Sequence, residues 1–177
     1  MHLTDLLTSD RVAIRHGDGT SPALPGSGPR EDEDKRSENG AFDKDRALGI
    51  LAGLLSSGAP NVERSEVERV LGEREHLQST GIGEGVAIPH GALSQLETQV
   101  AGLLIAPDGV DFAAIDGHKV TILFAVIGPK RATGEHLKTL ARVSRLLRNK
   151  AFRDRLVASP DAKAAYDLIA AEEAEHK

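Results

Sequence analysis

One histidine of this chain lies where it could act as a nucleophile or as a ligand. His90 stands between Pro89 and Gly91, directly after a short apolar run at residues 86–88. Because proline fixes its own φ and favours an extended conformation in the residue before it, His90 is expected at a stiff strand end. A neutral imidazole has a lone pair that can attack phosphorus or bind a metal ion. On the local pattern alone, a core histidine that is hydrogen-bonded at a strand end explains His90 equally well.

A glycine-rich segment leads into this strand, with glycine at every second position from residue 81 to residue 85. Glycine has no Cβ and reaches positive φ at little cost, so the backbone N–H groups of such a segment can approach a ligand closely. Backbone donors beside a rigidly held histidine are typical of a site for a small anion. The residues predicted to bind this anion are Ser79, Thr80, Gly81, Gly83 and Gly85.

A second histidine could share the work of the first. His136 follows Gly134 and Glu135 at the predicted start of a helix, where by itself it would be an ordinary solvated residue. If the fold brings it beside His90, one imidazole can attack phosphorus while the other hydrogen-bonds the phosphoryl oxygens. The other histidines lie at the termini, in turns or at a helix end and are interpreted as surface residues. They are His2, His16, His76, His118 and His176.

A zinc site built from the same histidines is an alternative. His90 and His136 could bind zinc together with a carboxylate such as Glu84, since imidazole and carboxylate are common zinc ligands. A closed zinc site usually shows a denser set of ligands, and the chain has no cysteine to add to it. We therefore expect no metal and no other cofactor.

Apolar periodicity predicts the helices and strands that carry these residues. Helical spacing predicts helices from the N-cap Asp43 to about Gly58 and over residues 65–76, 134–149, 152–157 and 162–171. Strands are predicted at residues 11–15, 86–88, 100–106 and 120–127. The last two runs are continuously apolar, which indicates strands buried on both faces and covered by helices. The prediction is a single α/β domain over residues 1–177, with a mixed parallel and antiparallel sheet of about five strands and helices on both faces.

One stretch departs from this pattern. Residues 17–40 contain five glycines and three prolines and include a mixed-charge run at residues 30–36. Such a composition cannot form a core of its own and predicts a flexible insertion at about residues 17–42. A partner-binding element is the alternative interpretation of the charged run.

The bulk composition excludes several function classes. The chain of 177 residues has a formal net charge of −5 and 3% aromatic residues, and no basic cluster suggests nucleic-acid binding. Its longest apolar runs are far below the ~20 residues that a membrane-spanning helix needs. Residues 1–5 lack the basic region and apolar core of a secretory signal. We expect a cytoplasmic protein.

Residues 79–91 closely resemble the phosphorylation-site signature of one protein family, the fructose/mannitol/nitrogen-regulatory class of phosphotransferase-system enzyme IIA proteins (PTS EIIA type 2). The run Ile88-Pro89-His90-Gly91 is the specific part of the match, and Glu135-His136-Leu137 before an apolar helix is a second, less specific one. The resemblance covers nearly the whole chain outside residues 17–42.

The resemblance implies a role for each matched residue. His90 would accept a phosphoryl group from the phosphocarrier protein HPr or its nitrogen-branch paralogue NPr, forming a phosphohistidine. Arg74, sixteen residues before it, matches the active-site arginine of the family, and with His136 it would orient and neutralise the phosphoryl group. A surface salt bridge to a neighbouring glutamate is the other interpretation of Arg74. Glu84 matches an acidic position of some members, but its carboxylate would repel a phosphoryl group and could act only by fixing a donor.

The resemblance implies a phosphotransferase, a phosphoryl carrier of the phosphoenolpyruvate-dependent phosphotransferase system. A nitrogen-type regulatory EIIA is favoured, because no EIIB or transporter segment is attached to the domain. A sugar-branch EIIA that donates to an EIIB remains an alternative, as does a regulator that only binds target proteins and has a silent phosphosite.

Overall fold

The structure is a computed structural model that describes residues 2–16, 43–77, 81–112 and 118–175. The predicted flexible insertion at about residues 17–42 therefore lies outside the described residues, as do Ser79 and Thr80. The strands are β1 (Val12–Ile14), β2 (Gly81–Gly83), β3 (Val86–Ala87), β4 (His90–Leu93), β5 (Val100–Val110) and β6 (Val120–Pro129). The α-helices are α1 (Lys44–Ser57), α2 (Arg64–Leu77), α3 (Thr133–Leu146), α4 (Lys150–Val157) and α5 (Ala162–Glu175), and two 3₁₀ turns (Leu3–Asp5 and Ser9–Arg11) precede β1.

The six strands form one mixed sheet in the order β1-β5-β6-β3-β2, with β4 also pairing with β6. Strands β3 and β4 both run parallel to β6 and share one position beside it, separated only by residues 88 and 89. The sheet therefore has five strand positions. Strand β1 is parallel to β5, whereas the β5–β6 and β2–β3 pairs are antiparallel. The expected mixed sheet of about five strands is confirmed.

Helices cover both faces of this sheet, and each face has its own apolar core. The alternation of β6 divides its side chains between them: Leu123 and Ile127 pack under α1 and α2, whereas Phe124 and Val126 pack under the C-terminal helices. Burying each such side chain contributes roughly 1.5–3 kcal/mol relative to leaving it exposed. The continuous apolar runs of the sequence are thus explained by burial on both faces.

The predicted N-cap of the first long helix is confirmed. The Asp43 carboxylate accepts a hydrogen bond from the Arg46 N–H at 2.9 Å, and Gly58 caps the other end of α1. An N-cap of this kind typically contributes about 1 kcal/mol. No helix within the described ranges is long and apolar enough to cross a membrane.

Two strands were not predicted: β2 lies in the glycine-rich segment, and β4 contains His90. Strand β2 consists of Gly81, Ile82 and Gly83, and β4 begins at His90 and continues through Gly91. Glycine weakens a strand pattern because it offers no side chain to pack. Pairing with β3 and β6 decides that these residues are strands, and that pairing is not visible in their local sequence.

Candidate functional site

Strand β4 places His90 beside the buried strand at the centre of the sheet. His90 pairs with Val126 of β6. Helix α2 packs directly on this strand, since a Cβ at Gly91 would lie 2.3 Å from Val70 Cγ1. Only glycine allows this close approach. Arg74 lies one turn beyond Val70 on the same helix face, so the contact brings its guanidinium to His90.

The hydrogen bonds of His90 determine which of its nitrogens can react. Its Nδ1 lies 2.8 Å from the carbonyl oxygen of Ile88. A carbonyl can only accept, so Nδ1 carries the proton and Nε2 keeps the lone pair. The Nε–H of Arg74 donates to that Nε2 at 3.2 Å. The structure therefore has a half-buried neutral imidazole whose nucleophilic nitrogen faces a guanidinium.

The surroundings of His90 favour the neutral ring. Burial is the largest influence and lowers the pKa of His90 below its usual value, and the charge of Arg74 lowers it further. The hydrogen bond to Ile88 and the charge of Glu75 raise the pKa and oppose this only in part. Because only the unprotonated nitrogen is nucleophilic, the lowered pKa keeps the site ready to react.

His136 lies beside His90 in the folded chain. The ring centroids are 5.8 Å apart and the ring planes are inclined at 51°. His136 stands in the first turn of α3, and only 9% of its surface is exposed. Burial, followed by the neighbouring His90, lowers the pKa of His136. Its Nδ1 is buried and has no hydrogen-bond partner.

A buried ion pair behind Arg74 was missed by the sequence reasoning. The Glu75 side chain is 4% exposed, and its Oε2 lies 2.8 Å from Lys44 Nζ. That ammonium also lies 4.8 Å from the centre of the Phe112 ring. The pair ties the start of α1 to the end of α2, close enough to His90 for the Glu75 charge to act on it. An acidic residue next to Arg74 was the only signal in the sequence, and it suggested a salt bridge with Arg74 instead.

The glycine-rich segment forms a tight hairpin. Gly83 pairs with Val86, and the two residues between them turn the chain. Three consecutive residues have positive φ: 91° at Gly83, 59° at Glu84 and 76° at Gly85. Positive φ at both central residues is the mark of a two-residue type I′ turn, which joins strands without splaying them. Gly83 and Gly85 are thus explained by the hairpin itself.

The hairpin turn lies far from the two histidines. The Gly85 carbonyl accepts from Thr121 and Ile122 at the start of β6, whereas His90 pairs with Val126. Four residues of strand correspond to roughly 13 Å. Of the predicted anion-binding glycines within the described residues, Gly81 lies nearest the His90 end of β3, where it pairs with Ala87.

Glu84 lies in the hairpin turn, away from the two histidines. Its carboxylate accepts a hydrogen bond at 3.1 Å from Nη2 of Arg153, a nearly buried residue of α4. Arg153 also donates to the carbonyls of Leu147 and Arg148 at the end of α3. The structure therefore places Glu84 in a contact that holds the hairpin against the C-terminal helices.

The metal alternative lacks a ligand set in the described part of the chain. No group of three or more histidine, aspartate or glutamate side chains there is arranged to hold a metal ion. The carboxylate of Glu84, which the sequence offered as a third ligand, is the one that contacts Arg153.

The chain is similar to known proteins over most of its length. Residues 36–172 match the family model described as "Phosphoenolpyruvate-dependent sugar phosphotransferase system, EIIA 2". A nitrogen regulatory protein from Bradyrhizobium diazoefficiens is 42% identical over 128 residues, which are 72% of this chain and 82% of that protein. One from Pseudomonas aeruginosa is 37% identical over 126 residues, covering 71% of this chain and 82% of the relative.

A solved structure shares the fold. The crystal structure of the nitrogen regulatory protein IIA-Ntr from Neisseria meningitidis superposes with a TM-score of 0.75 and covers 94% of this chain and 98% of its own. At 24% sequence identity, this likeness is evidence for the architecture alone.

Proposed function

The chain belongs to the EIIA 2 family of the phosphoenolpyruvate-dependent sugar phosphotransferase system, and on this premise we propose that it accepts a phosphoryl group on His90 Nε2. The donor is a phosphocarrier protein of the HPr or NPr type. The observation that carries the proposal is the hydrogen-bond arrangement of His90, with a proton on Nδ1 held by Ile88 and a lone pair on Nε2 facing Arg74.

The transfer step needs no proton movement at His90. The Nε2 lone pair attacks phosphorus and forms a P–N bond, while the bond between phosphorus and the donor carrier breaks and its electrons leave with the donor. The ring gains positive character on attack. The Ile88 carbonyl, 2.8 Å from Nδ1, is already in place to stabilise that charge. Positioning and charge neutralisation are most of what phosphoryl transfer requires from a protein.

Arg74 has a different task before and after attack. In the resting site its Nε–H occupies the Nε2 lone pair at 3.2 Å. A bond from Nε2 to phosphorus displaces that contact, and the guanidinium then has donors for the phosphoryl oxygens. The planar fork of arginine suits a phosphoryl group better than a point charge does. His136, with its ring centroid 5.8 Å from that of His90, supplies a further donor.

The surface beside the site suits a docking carrier. Leu137 follows His136 and is 60% exposed. Among the described residues it is the large apolar side chain that lies exposed at the surface. An isolated exposed leucine is common on any protein surface. Its place next to a phosphoryl-transfer site nevertheless offers a partner an apolar contact.

We favour the nitrogen-type regulatory branch, because both relatives described above carry the name nitrogen regulatory protein. In that branch the phosphorylation state of His90 controls the binding of target proteins. The sugar branch, in which His90 would pass its phosphoryl group to an EIIB, uses the same site. The two branches are distinguished by whether the phosphorylated chain passes its phosphoryl group to an EIIB from the same source organism.

The direct test of the carrier function is intact-mass analysis after incubation with phosphoenolpyruvate, enzyme I and HPr, and in parallel with NPr and its own enzyme I. The expected result is one acid-labile adduct of a phosphoryl group on the wild-type chain. His90→Ala should show no adduct, because the nucleophile is gone, while its folding should be retained.

His118→Ala is the matched control, since His118 is exposed and lies near the hairpin turn. It should be phosphorylated like the wild type. An adduct on His90→Ala at the wild-type rate would overturn the assignment. Phosphorylated donors that leave the wild-type chain unmodified would instead support a regulator with a silent phosphosite.

A further inference from the structure

Two buried polar atoms lack partners beside the candidate site, and they belong to neighbouring side chains. One is Nδ1 of His136, and the other is Oε1 of Gln99. The two residues are 9% and 8% exposed, respectively, so water reaches them poorly. A buried polar atom without a hydrogen bond is costly, so each of these two atoms calls for an explanation.

Both side chains lie against the same glycine. A Cβ at Gly128 would lie 3.1 Å from Nδ1 of His136 and 3.1 Å from Cγ of Gln99. The two atoms can therefore be no farther apart than twice that distance. The amide of Gln99 extends beyond Cγ and rotates about its last bond, so its terminal atoms can reach the imidazole. Gly128 leaves the space in which they meet.

The sheet fixes this proximity. Val100 at the start of β5 pairs with Ile127 of β6, and Gln99 precedes Val100 as Gly128 follows Ile127. Because β5 and β6 are antiparallel, Gln99 and Gly128 come to lie opposite each other. His136 reaches the same point from the first turn of α3, which begins shortly after β6 ends.

We propose that Gln99 is a positioning residue whose side-chain N–H donates to Nδ1 of His136 and thereby fixes the proton of that imidazole on Nε2. This requires the Gln99 amide to be turned by 180° so that its nitrogen replaces Oε1, an exchange of two groups of similar size and shape. The role rests on the proposed function, in which the Nε2–H of His136 donates to the phosphoryl group on His90.

The tautomer matters because His136 is neutral in the resting site. Burial lowers the pKa of His136, so the ring carries one proton, and that proton is on one nitrogen or the other. With the proton on Nε2, His136 presents a donor to the phosphoryl oxygens. With the proton on Nδ1, a lone pair would face those oxygens and repel them. A group at Nδ1 that can only donate keeps the proton of His136 on Nε2. Hydrogen-bond partners fix the tautomer of metal-binding histidines in the same way.

The test is long-range ¹H–¹⁵N correlation NMR of the imidazoles in the folded, unphosphorylated chain, with the His136 signals assigned by His136→Gln. The wild type should show the Nε2–H tautomer at His136. Gln99→Leu removes the donor and should shift the signals toward a mixture of tautomers. Gln99→Glu replaces it with an acceptor and should move the proton to Nδ1 or protonate the ring.

Gln95→Leu is the matched control, because Gln95 is an exposed glutamine in the segment that leads to β5. It should leave the His136 signals unchanged, and backbone spectra report whether each variant is folded. A wild-type Nδ1–H tautomer at His136 would overturn the proposal, as would a Gln99→Leu spectrum identical to that of the wild type.

Phosphoryl transfer supplies the second readout. Gln99→Leu should slow formation of the His90 adduct by about tenfold while its final extent is retained, by analogy with other outer partners of histidine. An unchanged rate with a shifted tautomer would overturn the role in transfer. A wild-type chain that accepts no phosphoryl group but shows the predicted tautomer shift would reject the carrier function and leave the Gln99–His136 hydrogen bond in place.

Discussion

Strands β3 and β4 share one position beside β6, and the two ends of that position have similar residue types but different chemistry. The His90 end has a glycine under a helix and an arginine whose Nε–H donates to an imidazole. The hairpin end has glycines of positive φ and an arginine that donates to Glu84. At the first end the arginine faces a nitrogen lone pair in a half-buried site, whereas at the second it faces an exposed carboxylate that already carries negative charge.

This difference separates the two parts of one sequence motif. In the sequence, residues 79–91 suggest a single anion site, but the register along β6 places the positive-φ turn and His90 at opposite ends of the position that β3 and β4 share. The turn glycines are required by hairpin geometry. The side chains beside His90 come instead from α2 and α3, two elements that are separate from β4 in the sequence.

Removing each arginine in turn tests whether the two ends differ in function. Arg74→Met should slow phosphoryl transfer to His90 by about a hundredfold, the usual effect of losing one charged or polar donor to a transition state. Arg153→Met should leave the rate within about twofold, since its contacts are with the hairpin and the end of α3. Quenched-flow transfer from phosphorylated carrier measures both rates. Equal losses in the two variants would mean that the two ends act as one site.

A smaller effect, on stability, should appear at the hairpin end. Gly85→Ala places a Cβ where φ is +76° and only 3.2 Å from Thr121 Oγ1, which should lower the free energy of unfolding by about 1–2 kcal/mol. Chemical denaturation followed by circular dichroism measures this loss. Glu84→Asn is the matched variant, because asparagine tolerates positive φ, and it should be less destabilising. A Gly85→Ala chain with native stability and slow transfer would show that the glycine serves the chemistry after all.

The smallest predicted effect is on the titration of His90. Glu75→Gln removes a charge that raises the pKa of His90, so the pKa of His90 should fall further below its usual value. NMR titration of the ring protons measures the shift, and Glu84→Gln serves as the control at the hairpin end. A shift upward in Glu75→Gln, or an equal shift in both variants, would contradict the placement of Glu75.

The same lowered pKa values make the stability depend on pH in a defined direction. The folded state holds His90 and His136 neutral, while the unfolded chain binds protons at the ordinary histidine value. Unfolding therefore takes up protons as the pH falls from about 6.5 toward the lowered pKa values. Above about pH 6.5 these histidines do not lower the free energy of unfolding. As the pH falls from there toward the lowered pKa values, the free energy of unfolding decreases.

Much of the fold was predictable because its signals are local. Apolar periodicity identified the long helices, continuous apolar runs identified β5 and β6, and Asp43 identified the start of α1. These patterns report burial and capping, which depend on residues within a few positions of one another. The strands rich in glycine escaped because their pairing depends on partners that lie far along the chain.

For the candidate site, the sequence predicted that His90 stands rigidly at a strand end, because the flanking proline and glycine restrict the backbone locally. Roles for Ser79, Thr80 and Gly81 stay predictions. The residues that surround His90 became known only from the tertiary structure. Arg74 and His136 lie beside it, Glu84 contacts Arg153 instead, and Gln99 and His136 lie against the same glycine, Gly128. These contacts depend on strand register and helix packing, which are set by residues that lie far apart in the sequence. A shift of the register by one residue would move every side chain of a strand to the opposite face of the sheet.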